Sequence, residues 1–424
     1  MKERPASPAG SSKLPACAKC GACSTVCPVY RVTGREYHTG RGKLHLLEML
    51  DPNAASATYA EILSRCLLCG ACSAVCSRKI PVAEQLAAAR AQLHRRAGEH
   101  VLLRRLAGGL LSSPKLLQIL GPLARHFKPD QIPADSGLQL RLGLGLPPEP
   151  EPQTAVEPPS EPAPVFSPGS GPETAPVYLF SGCYGAYLDP AIDRAVGSLM
   201  VKAGQEKPRR AADWRCCGLA AHSSGRIEEA KRLARINIAA HPGSAPIVVS
   251  CASCASHLSR YPELLAEDRQ WRGRAEEFAA RIREFSLFLH EAAGKQPLPV
   301  APTAQPRLKI LYHDPCHLRF GLQITDPPRQ LLTSRPAAEL VELPRGPRCC
   351  GQGGLFHLAH PAEANAILAE LAQECRQSEA EIVTSTCSGC LLHWQKARAQ
   401  KLIPARVVHL AILLDRLTDP EPVS

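Results

Sequence analysis

A chain of 424 residues exceeds one typical domain and predicts two or three. Its hydrophobic content of 45% supports sizeable cores, aromatic residues make up only 4%, and the formal net charge is +11. The polar stretch at residues 1–15 is expected to be disordered rather than a signal peptide, and no apolar run is long enough to span a bilayer. The 19 cysteines stand at metal-ligand spacings, which indicates a cytoplasmic protein in a reducing compartment. A peripheral position at the inner face of the cytoplasmic membrane, reached through a partner, stays open.

Two cysteine runs dominate the amino-terminal part of the chain. The first has the pattern C-x2-C-x2-C-x3-C-P, and the second repeats its cysteines 49 residues later with Ser77 in place of the proline. This is the spacing of bacterial ferredoxin ligand runs, in which the fourth cysteine serves the other [4Fe–4S] cluster. We therefore expect a different exit loop after the second run and two intact cubanes. The two ligand sets are Cys17, Cys20, Cys23 and Cys76 for one cluster, and Cys66, Cys69, Cys72 and Cys27 for the other.

Residues 16–110 are predicted to form this helical two-cluster domain. Leu44, Leu47 and Leu50 stand at helical spacing and predict a core stripe, and residues 82–106 predict a helix. Paired zinc knuckles are the alternative, disfavoured because tetrahedral zinc usually joins two separated ligand pairs. Residues 1–110 hold 16 Lys or Arg against 7 Asp or Glu, which favours docking to an acidic partner or anionic lipid. We expect no nucleic-acid partner, because stacking aromatic residues and a binding motif are missing.

The middle of the chain predicts a connection between domains. Residues 111–146 are read as a helical connector with an amphipathic stretch at 114–127. Residues 147–176 contain eleven prolines and should form an extended linker, since they cannot bury enough apolar surface to fold.

The carboxyl-terminal half is an internal duplication. Residues 177–300 and 307–418 each contain a Cys, a Cys-Cys-Gly and a C-x2-C, with the second set displaced by 133 or 136 residues. The sets are Cys183, Cys216, Cys217, Cys251 and Cys254, and Cys316, Cys349, Cys350, Cys387 and Cys390.

Alternating strand and helix patterns surround these cysteines. Residues 177–180, 247–250, 308–312 and 382–385 predict buried strands, and residues 227–240, 274–293 and 361–377 predict helices. This alternation predicts parallel sheets with the cysteines at the carboxyl ends of strands. The fold class expected for the whole chain is α+β, an α-helical ferredoxin-type module followed by a duplicated α/β domain.

The duplicated repeats resemble the CCG domains of heterodisulfide reductase. The order of a two-cluster module and two CCG repeats resembles the family of the glycolate oxidase iron–sulfur subunit, with relatives in D-lactate and anaerobic glycerol-3-phosphate dehydrogenases. The resemblance implies one or two further, non-cubane [4Fe–4S] clusters on the ten repeat cysteines. It also implies electron transfer from a separate FAD-containing subunit that oxidises glycolate to glyoxylate, toward quinone or another acceptor.

Other residues and motifs bear on the chemistry of this chain. No flavin or nicotinamide fingerprint is visible, so we expect no flavin on this chain and no catalytic residue of its own. Because both C-x2-C pairs are complete, a disulfide-reducing subunit like heterodisulfide reductase is the alternative function. His313 and His317 flank Cys316 and are expected to be structural or hydrogen-bonded histidines more readily than ligands. Cys375 is expected to be a buried small side chain.

Overall fold

A computed structural model describes residues 17–50, 56–97, 116, 177–300 and 307–418. The predicted amino terminus at 1–15, most of the connector at 111–146 and the proline-rich linker at 147–176 lie outside the described residues. Among the described residues, no helix combines the length and the apolar content needed to cross a bilayer.

The amino-terminal module is helical. Its helices are Ala22–Val26, Pro28–Thr33, Gly40–Met49, Ala57–Ser64, Ala71–Ala74 and Val82–Ala97, with a 3-10 turn at Glu36–His38. Thr39 and Ser56 cap two of these helices with side-chain oxygens that accept backbone N–H bonds. Leu44 is buried as predicted, but Leu50 lies after the helix and is 43% exposed, so the predicted core stripe ends early.

The first CCG repeat contains a three-stranded parallel sheet in the order β1-β2-β3. Its strands are β1 (Tyr178–Phe180), β2 (Ile247–Val249) and β3 (Ile282–Glu284). Its helices are Gly182–Tyr187, Ala191–Lys202, Leu219–Ser223, Ile227–Ala240, Ala252–Leu258, Tyr261–Leu264, Arg272–Ala280 and Phe285–Lys295.

The predicted helix at 274–293 is wrong in one respect, because β3 divides it. Ile282 and Glu284 are buried while Arg283 between them is exposed, which is the alternation of a strand. β3 pairs in parallel with β2, and the Glu284 side chain then caps the helix that follows. The gain from extending the sheet therefore outweighs the helical pattern of this segment.

The second repeat contains a four-stranded parallel sheet in the order β5-β4-β6-β7. The strands are β4 (Leu308–Tyr312), β5 (Ala338–Val341), β6 (Ile382–Ser385) and β7 (Arg406–His409). The helices are Asp326–Thr333, Phe356–Ala359, Pro361–Gln377, Ser388–Ala399 and Leu410–Thr418, with a π-helical turn at His317–Gly321. In the first repeat, a single parallel bridge from Tyr178 to Arg209 occupies the place of β5.

The two repeats pack against each other through helices and a shared apolar core. The helix Ala191–Lys202 lies on Leu410–Thr418, and the equivalent helices Phe285–Lys295 and Asp326–Thr333 also pack together. The Lys202 ammonium lies 2.9 Å from the Asp415 carboxylate across the first of these contacts. This pseudo-symmetric packing brings the carboxyl ends of both sheets, and hence both cysteine sets, toward each other.

Candidate iron–sulfur sites

The eight cysteines of the amino-terminal module line two neighbouring cavities. Ferredoxin site 1 is the cavity bordered by Cys17, Cys20, Cys23 and Cys76. Ferredoxin site 2 is the cavity bordered by Cys27, Cys66, Cys69 and Cys72. Each cavity thus takes three cysteines from one run and the fourth from the other, and Cys72 also borders site 1. This is the arrangement that the crossed ligand spacing predicts.

The two ligand loops repeat one backbone conformation. Lys19 and Leu68 have positive φ angles of 56° and 53°, and Gly21 and Gly70, two residues later, have φ angles of 83° and 80°. Each pair is separated by the same 49 residues as the cysteines. Such alternating conformations turn successive N–H groups toward one side of a loop, where they favour an anionic centre. The Leu68 N–H donates to Cys66 Sγ at 3.4 Å in this manner.

Gly40 allows the two ferredoxin sites to approach each other. A methyl group at this position would lie 3.3 Å from Cys72 Cβ and 3.4 Å from Cys23 Cβ. The next residue, Arg41, donates its backbone N–H to Cys23 Sγ at 3.3 Å. The amino end of the helix Gly40–Met49 therefore lies between both sites.

Burial acts against ionisation of the cysteine thiols in these cavities. Burial raises the pKa of Cys27 and raises that of Cys72 to about 12. A thiolate in these cavities therefore needs a cation for its stability, and bound iron supplies that charge while releasing the protons. The donor set fits iron–sulfur clusters on these grounds.

One lysine is enclosed beside ferredoxin site 2. Lys43 is 1% exposed and its ammonium donates to the carbonyl oxygen of His38. Burial lowers the pKa of Lys43, while the neighbouring Cys66 and Cys27 act in the opposite sense. A buried cation so placed stabilises negative charge on this site.

The five cysteines of the first repeat converge at one end of its sheet. Cys183 follows β1, Cys251 and Cys254 follow β2, and Cys216 and Cys217 come from the loop before Gly218. Neighbouring thiols are close enough to shift one another's pKa in the order Cys183, Cys216, Cys217, Cys254 and Cys251. We name this set CCG site 1. Gly218 has a φ of 91°, the left-handed conformation that a non-glycine residue adopts with strain.

CCG site 2 has the same arrangement in the second repeat. Cys316 follows β4, the C-x2-C pair follows β6, and the adjacent pair precedes Gly351 at a φ of 94°. The thiols again influence one another's pKa in series, in the order Cys316, Cys349, Cys350, Cys390 and Cys387. The Sγ atoms of Cys350 and Cys390 are 3.5 Å apart.

The four cysteine sets lie in an unbroken series. Cys69 of ferredoxin site 2 and Cys316 of CCG site 2 pack against the same apolar cluster, and Cys316 is close enough to raise the pKa of Cys69. The loops of Cys251 and Cys387 are joined directly, since the Ala252 N–H donates to the carbonyl oxygen of Thr386 at 2.8 Å and the Cys387 thiol lowers the pKa of Cys251, which connects CCG site 2 to CCG site 1. The order is ferredoxin site 1, ferredoxin site 2, CCG site 2 and CCG site 1.

Side chains from the ligand loops bridge these sites. The Ser253 hydroxyl lies 3.0 Å from Cys387 Sγ and 3.0 Å from His317 Nδ1. His317 also contacts the backbone of Leu68, in the loop of ferredoxin site 2. One residue from each of four ligand loops therefore takes part, and His317 is a hydrogen-bonding histidine as expected.

Sequence reasoning singled out His313 and missed His393. Both contact the thiol of Cys350, and His313 forms a close group with Cys350 and Cys390. The first repeat has Phe180 at the place of His313, and that difference was the signal available in the sequence. The remaining Cys375 lies buried in the helix Pro361–Gln377, where burial raises its pKa to about 11.

Comparison with known proteins identifies two domain families. Residues 13–80 match the 4Fe-4S dicluster domain, and residues 177–259 and 310–395 match the cysteine-rich domain named CCG. These matches and the four cysteine sets identify an iron–sulfur protein suited to electron transfer, and confirm the predicted fold class.

Three relatives show the extent of the similarity. The probable glycolate oxidase iron-sulfur subunit of Bacillus subtilis is 28% identical over 94% of this chain and 92% of its own length. Lactate utilization protein A of Oceanobacillus iheyensis is 29% identical over 56% of this chain and 96% of its own length. Lactate utilization protein A of Geobacillus kaustophilus is 30% identical over 47% of this chain and 82% of its own length. This chain belongs to the CCG cysteine-rich family that includes lactate utilization protein A and the glycolate oxidase iron-sulfur subunit.

Proposed function

We propose that this chain is the electron-transferring subunit of a glycolate oxidase-type complex. In that complex a separate FAD-containing subunit oxidises glycolate to glyoxylate, and electrons pass through this chain toward quinone or another acceptor. The unbroken series of four cysteine sets carries the proposal, since Cys69 neighbours Cys316 and Cys387 contacts Cys251. The likeness to the glycolate oxidase iron-sulfur subunit over 94% of the chain supports it.

The cavities of the ferredoxin module and the grouping of the CCG cysteines support the proposed ligand sets. The crossed ligand sets of ferredoxin sites 1 and 2 would each hold a cubane [4Fe–4S] cluster, and the cysteines of CCG sites 1 and 2 would hold non-cubane [4Fe–4S] clusters. Such clusters would supply one-electron redox chemistry, so no side chain of this chain needs to transfer a proton or a group. The protein supplies thiolates, N–H donors and burial. Water has limited access to the CCG sites, because Cys217 and Cys251 are buried.

The amino-terminal module is the proposed docking face for the FAD subunit. Cys20 of ferredoxin site 1 is exposed, unlike the other cysteines of this module, which places one end of the series near the surface. The excess of Lys and Arg over Asp and Glu in residues 1–110 would attract an acidic surface of the partner. We propose a cytoplasmic complex that associates peripherally with the inner face of the cytoplasmic membrane when quinone is the acceptor.

Lactate is the second candidate donor. Two of the relatives described above are lactate utilization proteins, one of them matched over 96% of its length. In this version the architecture is unchanged and the FAD subunit oxidises a larger 2-hydroxy acid. Disulfide reduction at the paired CCG sites is the alternative chemistry, favoured by the contact between Cys251 and Cys387.

The test is an anaerobic affinity purification from the native cell, followed by flavin analysis and substrate-driven bleaching of the cluster absorbance. Bleaching by glycolate with a co-purified flavoprotein supports the proposal. Bleaching by lactate or glycerol 3-phosphate alone retains the architecture and replaces the substrate. If no flavoprotein co-purifies and the isolated chain reduces disulfides with an artificial electron donor, the electron-transfer proposal fails.

A further inference from the structure

The two CCG sites differ by one imidazole. His313 stands three residues before Cys316, and the corresponding residue three before Cys183 is Phe180. Tyr312 ends β4, and the backbone N–H of His313 donates to the carbonyl oxygen of Thr384 at 2.8 Å. This bond holds His313 at the carboxyl end of the sheet, where the cysteines gather.

The imidazole of His313 is buried and incompletely bonded. The residue is 1% exposed, and its Nε2 has no hydrogen-bond partner among the residues that the structure describes. A buried polar nitrogen without a hydrogen-bond partner costs free energy. The Nε2 atom of His313 is therefore available to bind a metal ion as a ligand.

Two cysteine thiols lie next to this imidazole. One ligand atom from each of His313, Cys350 and Cys390 lies within 4.8 Å of the other two, and the two sulfurs are 3.5 Å apart. Metal–sulfur bonds of about 2.3 Å and metal–nitrogen bonds of about 2.0 Å place tetrahedral donors roughly 3.5–3.8 Å apart. A small inward movement of the imidazole would thus bring all three donors onto one metal ion.

We infer that His313 is a nitrogen ligand of the metal centre in CCG site 2, so that the two repeats hold chemically different centres. CCG site 1 offers five thiols, with Phe180 in place of the imidazole. CCG site 2 offers five thiols and one imidazole, and one iron there carries mixed nitrogen and sulfur ligation. The inference rests on the proposed function, in which iron occupies CCG site 2. It adds only that His313 is one of the iron ligands.

His393 is the competing nitrogen donor. It also contacts Cys350, and both of its ring nitrogens are buried without a hydrogen-bond partner. However, it does not join Cys350 and Cys390 in a close donor group within the described part of the chain, whereas His313 does. Its counterpart His257 stands at the same place in the first repeat, so His393 does not distinguish the two sites.

A nitrogen ligand would change the properties of CCG site 2. If the imidazole takes the place of one of the five thiolates on iron, a neutral ligand replaces an anionic one, which raises the reduction potential of an iron–sulfur centre. CCG site 2 is also the site next to ferredoxin site 2, through Cys69 and Cys316. The higher-potential centre would therefore be the first CCG centre to receive an electron from the ferredoxin module.

The test uses the full chain, reconstituted anaerobically with iron and sulfide and labelled with [15N]histidine. Pulsed EPR of the paramagnetic CCG centres measures hyperfine coupling to directly bound nitrogen. We expect a histidine coupling in the wild type that disappears in His313→Phe, the residue of the first repeat, and persists in His393→Gln. Cys216→Ser with Cys217→Ser disables CCG site 1 and should leave the coupling in place.

Two results would overturn the inference. One is a paramagnetic CCG site 2 in the wild type with no coupling to directly bound histidine nitrogen, a result that does not depend on the folding of any variant. The other is a coupling lost in His393→Gln and kept in His313→Phe. Iron and sulfide analysis of the same samples separates these outcomes from failure of the proposed function, because a site without iron gives no signal to assign.

Discussion

The guanidinium of Arg90 donates a 3.0 Å hydrogen bond to the carbonyl oxygen of Ser223, across the boundary between the ferredoxin module and the first CCG repeat. The same side chain donates to the carbonyl oxygens of Leu63, Ser64 and Cys66, within its own module. Arg90 is 8% exposed. A single buried cation thus connects a ligand loop of ferredoxin site 2 to the CCG domain.

Replacement of Arg90 by alanine should weaken this connection. Four carbonyl oxygens would lose a charged donor in a buried position, and we expect a loss of roughly 3 kcal/mol in the free energy of unfolding. Chemical denaturation of the anaerobically reconstituted protein measures it. The matched control is Arg232→Ala, whose guanidinium is 51% exposed in its pair with Glu229 and should cost less than about 1 kcal/mol. Equal losses in the two variants would contradict the role given to Arg90.

The crossed ligand sets predict which cluster each fourth cysteine serves. Cys76→Ser should perturb the cluster whose other ligands are Cys17, Cys20 and Cys23, because Cys76 borders that cavity. Cys27→Ser should perturb the cluster on Cys66, Cys69 and Cys72. The EPR spectra of the two variants should lack different cluster signals. Iron analysis should show that each variant loses up to about four irons, the content of one cluster. Loss of the same signal in both variants would exclude the crossed arrangement.

The sequence predicted well what depends on spacing and periodicity. The runs of cysteines implied the crossed ferredoxin sites, and the structure brings each fourth cysteine to the other run's cavity. The strands ending at Phe180 and Tyr312 and the helices Ile227–Ala240 and Pro361–Gln377 also follow the predicted bounds. These features are local, so each needs only the chain pattern in its neighbourhood.

Features that need three-dimensional packing were not accessible in this way. β3 is only three residues long, and its identity depends on pairing with β2 rather than on its own pattern. The contact of Cys251 with Cys387 and the approach of Cys69 to Cys316 join segments far apart in the chain. Spacing along the chain therefore predicted which cysteines group together. The order in which the four sites neighbour one another depends on the packing of the domains.

Glu284 predicts a measurable dependence of stability on pH. Its Oε2 accepts the backbone N–H bonds of Ser286 and Leu287 as a helix cap, while its Oε1 is buried without a hydrogen-bond partner. Burial raises the pKa of Glu284 to about 7. The unfolded chain loses this proton near its ordinary pKa of about 4.3, so rising pH favours the unfolded state through the window from about 4.3 to 7.

Glu284→Gln should remove this penalty while retaining an oxygen for the cap. The free energy of unfolding of the variant, relative to that of the wild type, should rise by about 2 kcal/mol between pH 5.5 and pH 8. The wild type loses stability over this interval because its carboxyl must either stay protonated or become a buried charge. Unfolding free energies at the two pH values measure the difference. Glu267→Gln, at an exposed position, is the control and should follow the wild type. A pH-independent difference for Glu284→Gln would contradict the raised pKa.

Lys43 should set the reduction potential of ferredoxin site 2. Its buried ammonium lies beside Cys27 and Cys66, so it stabilises the added negative charge when a bound cluster is reduced. Lys43→Met keeps most of the side-chain volume and removes the cation. We expect the potential of this site to fall by on the order of 100 mV, the effect of one charge several ångströms away at an effective dielectric constant of about 20.

A redox titration followed by EPR measures this shift, with Lys295→Met as the control because that lysine is exposed and distant in the chain. The iron content of Lys43→Met should match the wild type, which distinguishes a change in potential from loss of the cluster. The signal of ferredoxin site 1 should move less, since Lys43 borders only the cavity of site 2. Equal shifts at both ferredoxin sites would indicate a general change in structure, and an unchanged potential at site 2 would show that the Lys43 charge does not act on that cluster.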